Sequence, residues 1–131
     1  MSEGAAAPPR AVVLGHARFA EGLVGAARAI AGDAAAFACV SNDGLDAAGI
    51  ERAVGEWLAR GVAVIFTDLP AGSTTMAARR AQRAHPGTVV VTGANLPLLL
   101  DFAFADGEPA QAARTAAERA RAAVLVTGGP A

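Results

Sequence analysis

The chain has 131 residues, enough for about one domain, and its net charge at pH 7 is −1. Hydrophobic residues make up 53% of the sequence, which is ample material for a core. The near-neutral charge gives no electrostatic basis for binding nucleic acid or an anionic membrane. No apolar run approaches the roughly 18 residues that span a bilayer. We therefore expect a soluble, cytoplasmic protein that does not insert into the membrane.

The N-terminus and the single cysteine exclude further classes. Residues 1–9 (MSEGAAAPP) lack the charged and apolar regions of a signal peptide, so we expect a flexible tail followed by one domain over residues 10–131. A lone cysteine, Cys39, excludes an internal disulfide and a cysteine-based metal cluster. Because Cys39 lies in an apolar run, we expect it to be a small buried side chain.

Apolar runs alternate with helical segments along the chain. Strands are predicted at residues 10–14, 35–40, 62–67 and 88–92, with a last short strand at 122–127. Helices are predicted at residues 18–31, 46–60, 73–84 and 109–121, with a short one that Asn95 caps. Asp46 is the predicted N-cap of the second helix. This alternation predicts a small doubly wound α/β domain, in which helices cover both faces of a parallel sheet.

Two of the predicted strands run directly into a residue with catalytic chemistry. The first strand is followed by Gly15 and His16, and the third by Asp68. Reacting groups collect at the carboxyl ends of strands in a parallel α/β sheet, so we expect His16 and Asp68 to lie close together. A carboxylate that accepts from one ring nitrogen leaves the other nitrogen free to attack a phosphoryl or acyl centre. The simpler alternatives are a structural histidine and a turn aspartate.

A polar loop follows the third strand. Residues 71–75 (AGSTT) precede a predicted helix, and backbone N–H groups at a helix N-terminus bind anions. The loop lacks the GxxxxGK[ST] pattern of a nucleotide-binding P-loop, and the chain contains no lysine. We expect Gly72, Ser73 and Thr74 to bind the phosphoryl group of a phosphohistidine. This chemistry needs no metal and no cofactor. Considered alone, Ser73 is more simply a helix N-cap.

Three segments resemble the mannose-type EIIA domains of the bacterial phosphotransferase system. Residues 15–23 (GHARFAEGL) resemble the family's GHGxFAxGL, residues 66–73 (FTDLPAGS) its FxDLxGG[ST]P, and residues 92–100 (TGANLPLLL) its xGxNLPMLLE. The segments occur in the family's order and spacing and cover nearly the whole chain from residue 10 onward. Ala71 replaces the first glycine of the family's loop, and Thr74 replaces its proline.

The resemblance implies a phosphoryl carrier. The family's histidine, which matches His16, accepts phosphate from phospho-HPr and passes it to an EIIB domain, here expected on a separate chain, that serves a sugar permease. The aspartate that matches Asp68 orients the histidine, and the serine that matches Ser73 helps to hold the phosphoryl group. The family also tends to form homodimers in which a C-terminal strand is exchanged, and residues 122–127 are the segment suited to that exchange.

Two other functions compete with this prediction. In a regulatory module, phosphorylation of His16 controls binding to a target and no sugar is served. A gene neighbourhood with or without a permease discriminates between these two functions. The related phosphotransfer subunit of dihydroxyacetone kinases shares the fold, but the NLPLLL segment and the Asp-Leu-x-x-Gly-Ser loop argue against it.

Overall fold

The computed structural model describes residues 8–130, so most of the predicted tail of residues 1–9 lies outside the described residues. The strands are Ala11–Gly15 (β1), Phe37–Ser41 (β2), Val64–Thr67 (β3) and Val89–Val91 (β4). The α-helices are Phe19–Ala31 (α1), Ala47–Ala59 (α2), Ser73–Ala84 (α3), Leu96–Phe104 (α4) and Pro109–Arg121 (α5), and a 3-10 turn lies at Gly32–Ala34. That residues 10–131 form one domain stays a prediction.

The four strands form one parallel sheet in the order β2-β1-β3-β4. Each strand lies next to a neighbour of the same direction, which confirms the predicted α/β fold. The strand order reverses between β1 and β3, and the loops after these two strands lead to opposite faces of the sheet. Open α/β sheets bind ligands in the crevice at such a point, outside the carboxyl ends of the strands. The fold therefore directs attention to the residues that follow β1 and β3.

Two apolar clusters cover the two faces of the sheet. Alternate residues of β1 point to opposite faces, so Val13 packs with α1, α4 and α5 while Val12 and Leu14 pack with α2 and α3. On the first face the rings of Phe37, Phe66 and Phe102 contact one another, with centroids between 5.2 and 6.2 Å apart. The sheet is thus held from both sides, as the doubly wound fold requires.

Arg10 ties the start of β1 to the end of α4. Its guanidinium donates to the carbonyl oxygens of Phe102, Ala103 and Ala105 at 3.1 to 3.2 Å and lies 4.6 Å from the ring centroid of Phe102. The last carbonyl groups of a helix have no partner within the helix, and a cation near them is favourable. Arg10 therefore caps the C-terminus of α4, at the edge of the sheet opposite to the carboxyl ends of the strands.

Two of the three proposed helix caps are confirmed. The Asp46 carboxylate accepts from the Gly49 N–H at 2.7 Å, and the Asn95 amide oxygen accepts from the Leu98 N–H at 2.9 Å. The reading of Ser73 as an N-cap is wrong, because Gly72 occupies that position and Ser73 is the first residue of α3. The φ angle of Gly72 is +117°, which an L side chain rarely adopts, so glycine is required there.

The predicted strand at residues 122–127 does not form in the single chain. Val124, Leu125 and Val126 follow α5 in irregular conformation and are 78%, 77% and 93% exposed. Apolar β-branched side chains favour an extended backbone, but a strand exists only where its N–H and C=O groups meet those of a neighbouring strand. Within residues 8–130 this segment pairs with no strand.

The expectation that Cys39 is buried is also wrong, since its side chain is exposed. β2 is an outer strand, so only β1 lies beside Cys39 in the sheet. Helix α1 approaches it at a backbone carbonyl, and the Cys39 Sγ lies 3.7 Å from the Ala20 oxygen. The apolar run around Cys39 predicted a strand correctly but could not tell that the strand lies at an edge.

Candidate active site

His16 and Asp68 meet at the carboxyl edge of the sheet. His16 follows β1 and Asp68 follows β3, and these strands are paired so that Leu14 lies opposite Thr67. The Asp68 Oδ2 atom accepts from the backbone N–H of His16 at 2.8 Å and lies 2.7 Å from the His16 Nδ1 atom. The predicted proximity of the two residues is therefore confirmed.

The carboxylate determines which ring nitrogen of His16 is free to react. The Asp68 side chain is 9% exposed, whereas that of His16 is 40% exposed. An ionised carboxylate only accepts hydrogen bonds, so the Nδ1 atom carries a proton and, in the neutral ring, Nε2 holds a lone pair. Burial of Asp68 acts to raise its pKa, but the hydrogen bonds from His16 and Thr74 and the charge of His16 outweigh it. The pKa of Asp68 therefore lies below its usual value, which keeps the acceptor ionised.

The turn around His16 contains the small residues Gly15 and Ala17, and hydrogen bonds connect it to residues at the end of β2. A Cβ atom on Gly15 would lie 2.5 Å from the ring of Phe19, so glycine lets α1 begin at once. Ala17 has a φ angle of +51°, an uncommon conformation for a residue with a side chain. Its N–H donates to the Asn42 Oδ1 atom at 3.0 Å, and its carbonyl accepts from the Ser41 hydroxyl at 2.8 Å.

Ser41 and Asn42 are supporting residues that the sequence analysis missed. Ser41 is the last residue of β2, the neighbour of β1, and Asn42 follows it; both hold the turn that presents His16. The rule that placed His16 and Asp68 at the carboxyl ends of strands applies equally to the end of β2. The polar cluster that begins at Ser41 was the available signal.

The N-terminus of α3 lies on the open side of the histidine ring. The hydroxyl of Ser73 lies 3.4 Å from the His16 Nε2 atom. Because the N-cap residue Gly72 lacks a side chain, it supplies no capping oxygen to the N–H groups of the first turn. Those groups and the helix dipole favour an anion. Of the three predicted phosphoryl-binding residues, Ser73 thus lies beside the ring nitrogen that can react, and Gly72 precedes it as the N-cap of α3.

The side chain of Thr74 points elsewhere. It is fully buried, and its hydroxyl donates to the Asp68 Oδ1 atom at 2.8 Å. The hydroxyl of the next residue, Thr75, contacts Thr67 and the carbonyl oxygen of Leu69. The phosphoryl contact expected from the Thr74 hydroxyl is therefore corrected: the hydroxyl is committed to the carboxylate, and only the backbone N–H of Thr74 remains for an anion.

Comparison with known families settles which kind of protein carries this site. The family model EIIA-man, described as the PTS system fructose IIA component, matches residues 10–119. The chain belongs to the mannose-type EIIA family. This assignment confirms the resemblance found in the sequence. No curated protein sequence is significantly similar to this EIIA chain.

Solved structures show the same fold. A mannose/sorbose-specific IIA subunit from Enterococcus faecalis is 22% identical, covering 95% of this chain and 98% of its own, with a TM-score of 0.79. An EIIA component from Streptococcus agalactiae is 14% identical over 85% of this chain and 93% of its own, with a TM-score of 0.70. A PTS IIA protein associated with the fucose utilization operon of Streptococcus pneumoniae is 20% identical over 88% of this chain and 93% of its own, with a TM-score of 0.67.

Two features of this EIIA chain complete the description. None of the described helices is both long and apolar enough to cross a bilayer. Within residues 8–130, no three His, Cys, Asp or Glu side chains are grouped as the ligands of a metal ion would be. The candidate site consists of His16, Asp68, Ser73 and Thr74.

Proposed function

We propose that this EIIA protein is a phosphoryl carrier that accepts phosphate from phospho-HPr on the Nε2 atom of His16 and passes it to an EIIB domain. The single observation that carries the proposal is the contact of 2.7 Å between His16 Nδ1 and Asp68 Oδ2. It fixes the proton on Nδ1 and leaves the exposed Nε2 atom with its lone pair facing outward.

Transfer to His16 is a displacement at phosphorus. The Nε2 lone pair forms a new P–N bond while the P–N bond of the donor phosphohistidine breaks, and that electron pair stays on the donor nitrogen. The donor ring becomes neutral, and the His16 ring becomes positively charged with its proton still on Nδ1. The ionised Asp68 carboxylate stabilises this charge. Transfer to EIIB repeats the displacement, with a nucleophile of EIIB attacking phosphorus and His16 as the leaving group.

The first turn of α3 supports the phosphoryl oxygens. The Ser73 hydroxyl lies 3.4 Å from Nε2, so it is within reach of an oxygen on a phosphoryl group bound there. The backbone N–H groups of Ser73 and Thr74 receive no side-chain cap from Gly72, and they point out of the helix N-terminus. In this proposal charge on phosphate is balanced by the helix end, and no metal and no cofactor takes part.

The proposal includes a homodimer. β4 is an outer strand, and an open groove of about 630 Å³ runs along it and α5. The apolar residues 124–126 of the same chain are exposed beside this groove. Residues 122–127 of a second copy, once extended along β4, would supply the strand that the single chain lacks and cover these apolar side chains. We place the protein in the cytoplasm, where HPr and EIIB act.

The test is phosphotransfer in a mixture of phosphoenolpyruvate, Enzyme I, HPr and this protein, followed by intact-mass measurement. We expect one acid-labile phosphoryl group on the wild type and none on His16→Ala. His85→Ala is the matched control, because His85 is the other histidine of the chain and lies at the far end of α3. It is expected to be phosphorylated like the wild type.

Two outcomes would contradict parts of the proposal. Absence of phosphorylation, with the same HPr active on a known acceptor, would overturn the carrier function and leave a binding module on an EIIA fold. Phosphorylation of His16 that mannose-type EIIB domains do not discharge would favour the regulatory module over sugar transport.

A further inference from the structure

We propose that Thr74 is a positioning residue that controls how strongly Asp68 holds the His16 ring. This inference rests on the proposed function, in which His16 carries the phosphoryl group. Thr74 does not touch the reacting nitrogen; it acts through the carboxylate. The residue is a departure of this chain, because the family motif that the loop resembles has proline at this position and proline has no hydroxyl to donate.

The two oxygens of Asp68 have separate partners. Oδ2 accepts both N–H groups of His16, at 2.8 Å from the backbone nitrogen and 2.7 Å from Nδ1. Oδ1 accepts the Thr74 hydroxyl at 2.8 Å. Thr74 is fully buried, so water does not compete for this hydrogen bond. The carboxylate charge is thus divided between the histidine and the threonine.

A donor on one oxygen of a carboxylate withdraws negative charge from the other. With the Thr74 hydroxyl in place, Oδ2 is a weaker acceptor for Nδ1–H and stabilises a positively charged ring less. Without it, the charge concentrates on Oδ2, and the phosphorylated, positively charged form of His16 is stabilised. Thr74 therefore weakens the hold of the protein on its phosphoryl group, which suits a carrier that must release it. Charge-assisted hydrogen bonds in a partly desolvated site are strong enough for such an effect.

The alternative is that the Thr74 hydroxyl is only a satisfied buried polar group. Thr75 allows the two readings to be separated. It is also in the first turn of α3, also buried and also hydrogen-bonded through its hydroxyl, but its partners are Thr67 and Leu69. Thr75→Val therefore removes a buried hydroxyl from the same turn without touching the carboxylate.

The experiment compares Thr74→Val, Thr74→Ser and Thr75→Val with the wild type. The first readout is the equilibrium between phospho-HPr and the phosphorylated EIIA protein. We expect Thr74→Val to shift it toward phospho-EIIA by about three- to tenfold, which is less than the full value of a hydrogen bond to a charged group because Thr74 acts on the ring only through the carboxylate. Thr74→Ser keeps the donor and is expected to restore the wild-type value, and Thr75→Val is expected to leave the value unchanged.

The second readout needs no phosphorylation. The ¹⁵N chemical shift of the His16 Nδ1 atom reports the strength of its hydrogen bond in the unphosphorylated protein. We expect Thr74→Val to move this shift downfield, and Thr74→Ser and Thr75→Val to leave it near the wild-type position. If the wild type accepts no phosphate, the proposed function fails, but this measurement still tests the action of Thr74 on the pair.

Two results would overturn the inference while leaving the proposed function intact. One is a Thr74→Val protein with the wild-type equilibrium and the wild-type Nδ1 shift. The other is the same change in Thr75→Val as in Thr74→Val, which would show that any lost hydroxyl in this turn has the effect. Should Thr74→Val not fold, Thr74→Ala removes the same donor and is judged by the same two readouts.

Discussion

Asp68 Oδ2 contacts His16 twice, at 2.8 Å from the backbone nitrogen and at 2.7 Å from Nδ1. The backbone contact ties the turn after β1 to the end of β3, and the side-chain contact fixes the rotation of the ring relative to that turn. A single oxygen atom therefore sets both the position and the protonation pattern of the histidine. Because both contacts use the same oxygen, a change at Asp68 alters the orientation of the ring and the conformation of the turn together.

The first prediction concerns the charge on Asp68. Asp68→Asn keeps the size of the side chain but removes the ionised acceptor that holds the proton on Nδ1. We expect the rate of phosphoryl acceptance from phospho-HPr to fall by about 10²- to 10⁴-fold, the contribution typical of a group that orients or exchanges a catalytic proton. Rapid-quench measurement of phosphorylated protein tests this. An unchanged rate in a folded variant would show that the carboxylate is dispensable.

The second prediction follows from the lowered pKa of Asp68. A carboxyl group whose pKa is lower in the folded than in the unfolded protein, where it is about 3.9, stabilises the fold fully above the unfolded value. This stabilisation is lost as the pH falls through the folded value. We expect the free energy of unfolding of the wild type to decrease between about pH 5 and pH 2 more than that of Asp68→Asn.

Urea titrations at several pH values measure this difference. Asp106→Asn is the matched control, because Asp106 is exposed in the turn between α4 and α5. It is expected to follow the wild-type pH dependence. Parallel curves for the wild type and Asp68→Asn would mean that the hydrogen bonds to Asp68 do not favour its ionised form on folding.

The third prediction concerns Ala17, which adopts a φ angle of +51°. Glycine reaches this conformation without the steric cost of a Cβ atom but has more freedom in the unfolded chain, so the two effects oppose each other. We expect Ala17→Gly to raise the free energy of unfolding by about 0.5 kcal/mol. Ala29→Gly, at an exposed position of α1, is expected to lower it by about 0.5–1 kcal/mol. Thermal or urea unfolding measures both, and a destabilised Ala17→Gly protein would contradict the argument.

The fourth prediction concerns the proposed dimer. Leu125→Asp places a charge in the segment that is proposed to pair with β4 of a second copy, where it would be covered by apolar side chains. We expect light scattering to give a dimer for the wild type and a monomer for the variant. Ile30→Asp alters another exposed apolar residue, which lies on α1 and is 61% exposed, and this variant is expected to stay dimeric. A wild-type monomer at every concentration would refute the strand exchange.

The sequence predicted the parts of the site that depend on strand ends. The order of apolar runs indicated a parallel sheet, and a parallel sheet by itself brings the residues after β1 and β3 to one edge. His16 and Asp68 could therefore be paired across 52 residues from the sequence alone. Asp46 and Asn95 were equally predictable, because a helix cap is a local interaction.

The parts that depend on neighbours in space were not predictable. The apolar pattern at residues 122–127 favours an extended backbone, but these residues do not determine whether a neighbouring strand is available to pair with them. The prediction that Cys39 is buried was wrong for a related reason, because an outer strand and an inner strand can have the same apolar sequence pattern. The hydrogen bond from Thr74 to Asp68 depends on the unusual φ angle of Gly72, which sets where the first turn of α3 begins.

The hydrogen bonds from Arg10 to the last carbonyl groups of α4 indicate where a tag or label can be attached without covering His16. Arg10 lies before β1 and His16 lies after it, so the length of a five-residue strand, about 16 Å, separates them along the chain. A tag, a fluorophore or a surface tether joined ahead of Arg10 leaves the chain on the side of the sheet that faces away from the histidine. Immobilised or labelled protein prepared in this way keeps the reactive edge open to macromolecular partners, whereas attachment in the loops after β1, β2 or β3 would obstruct it.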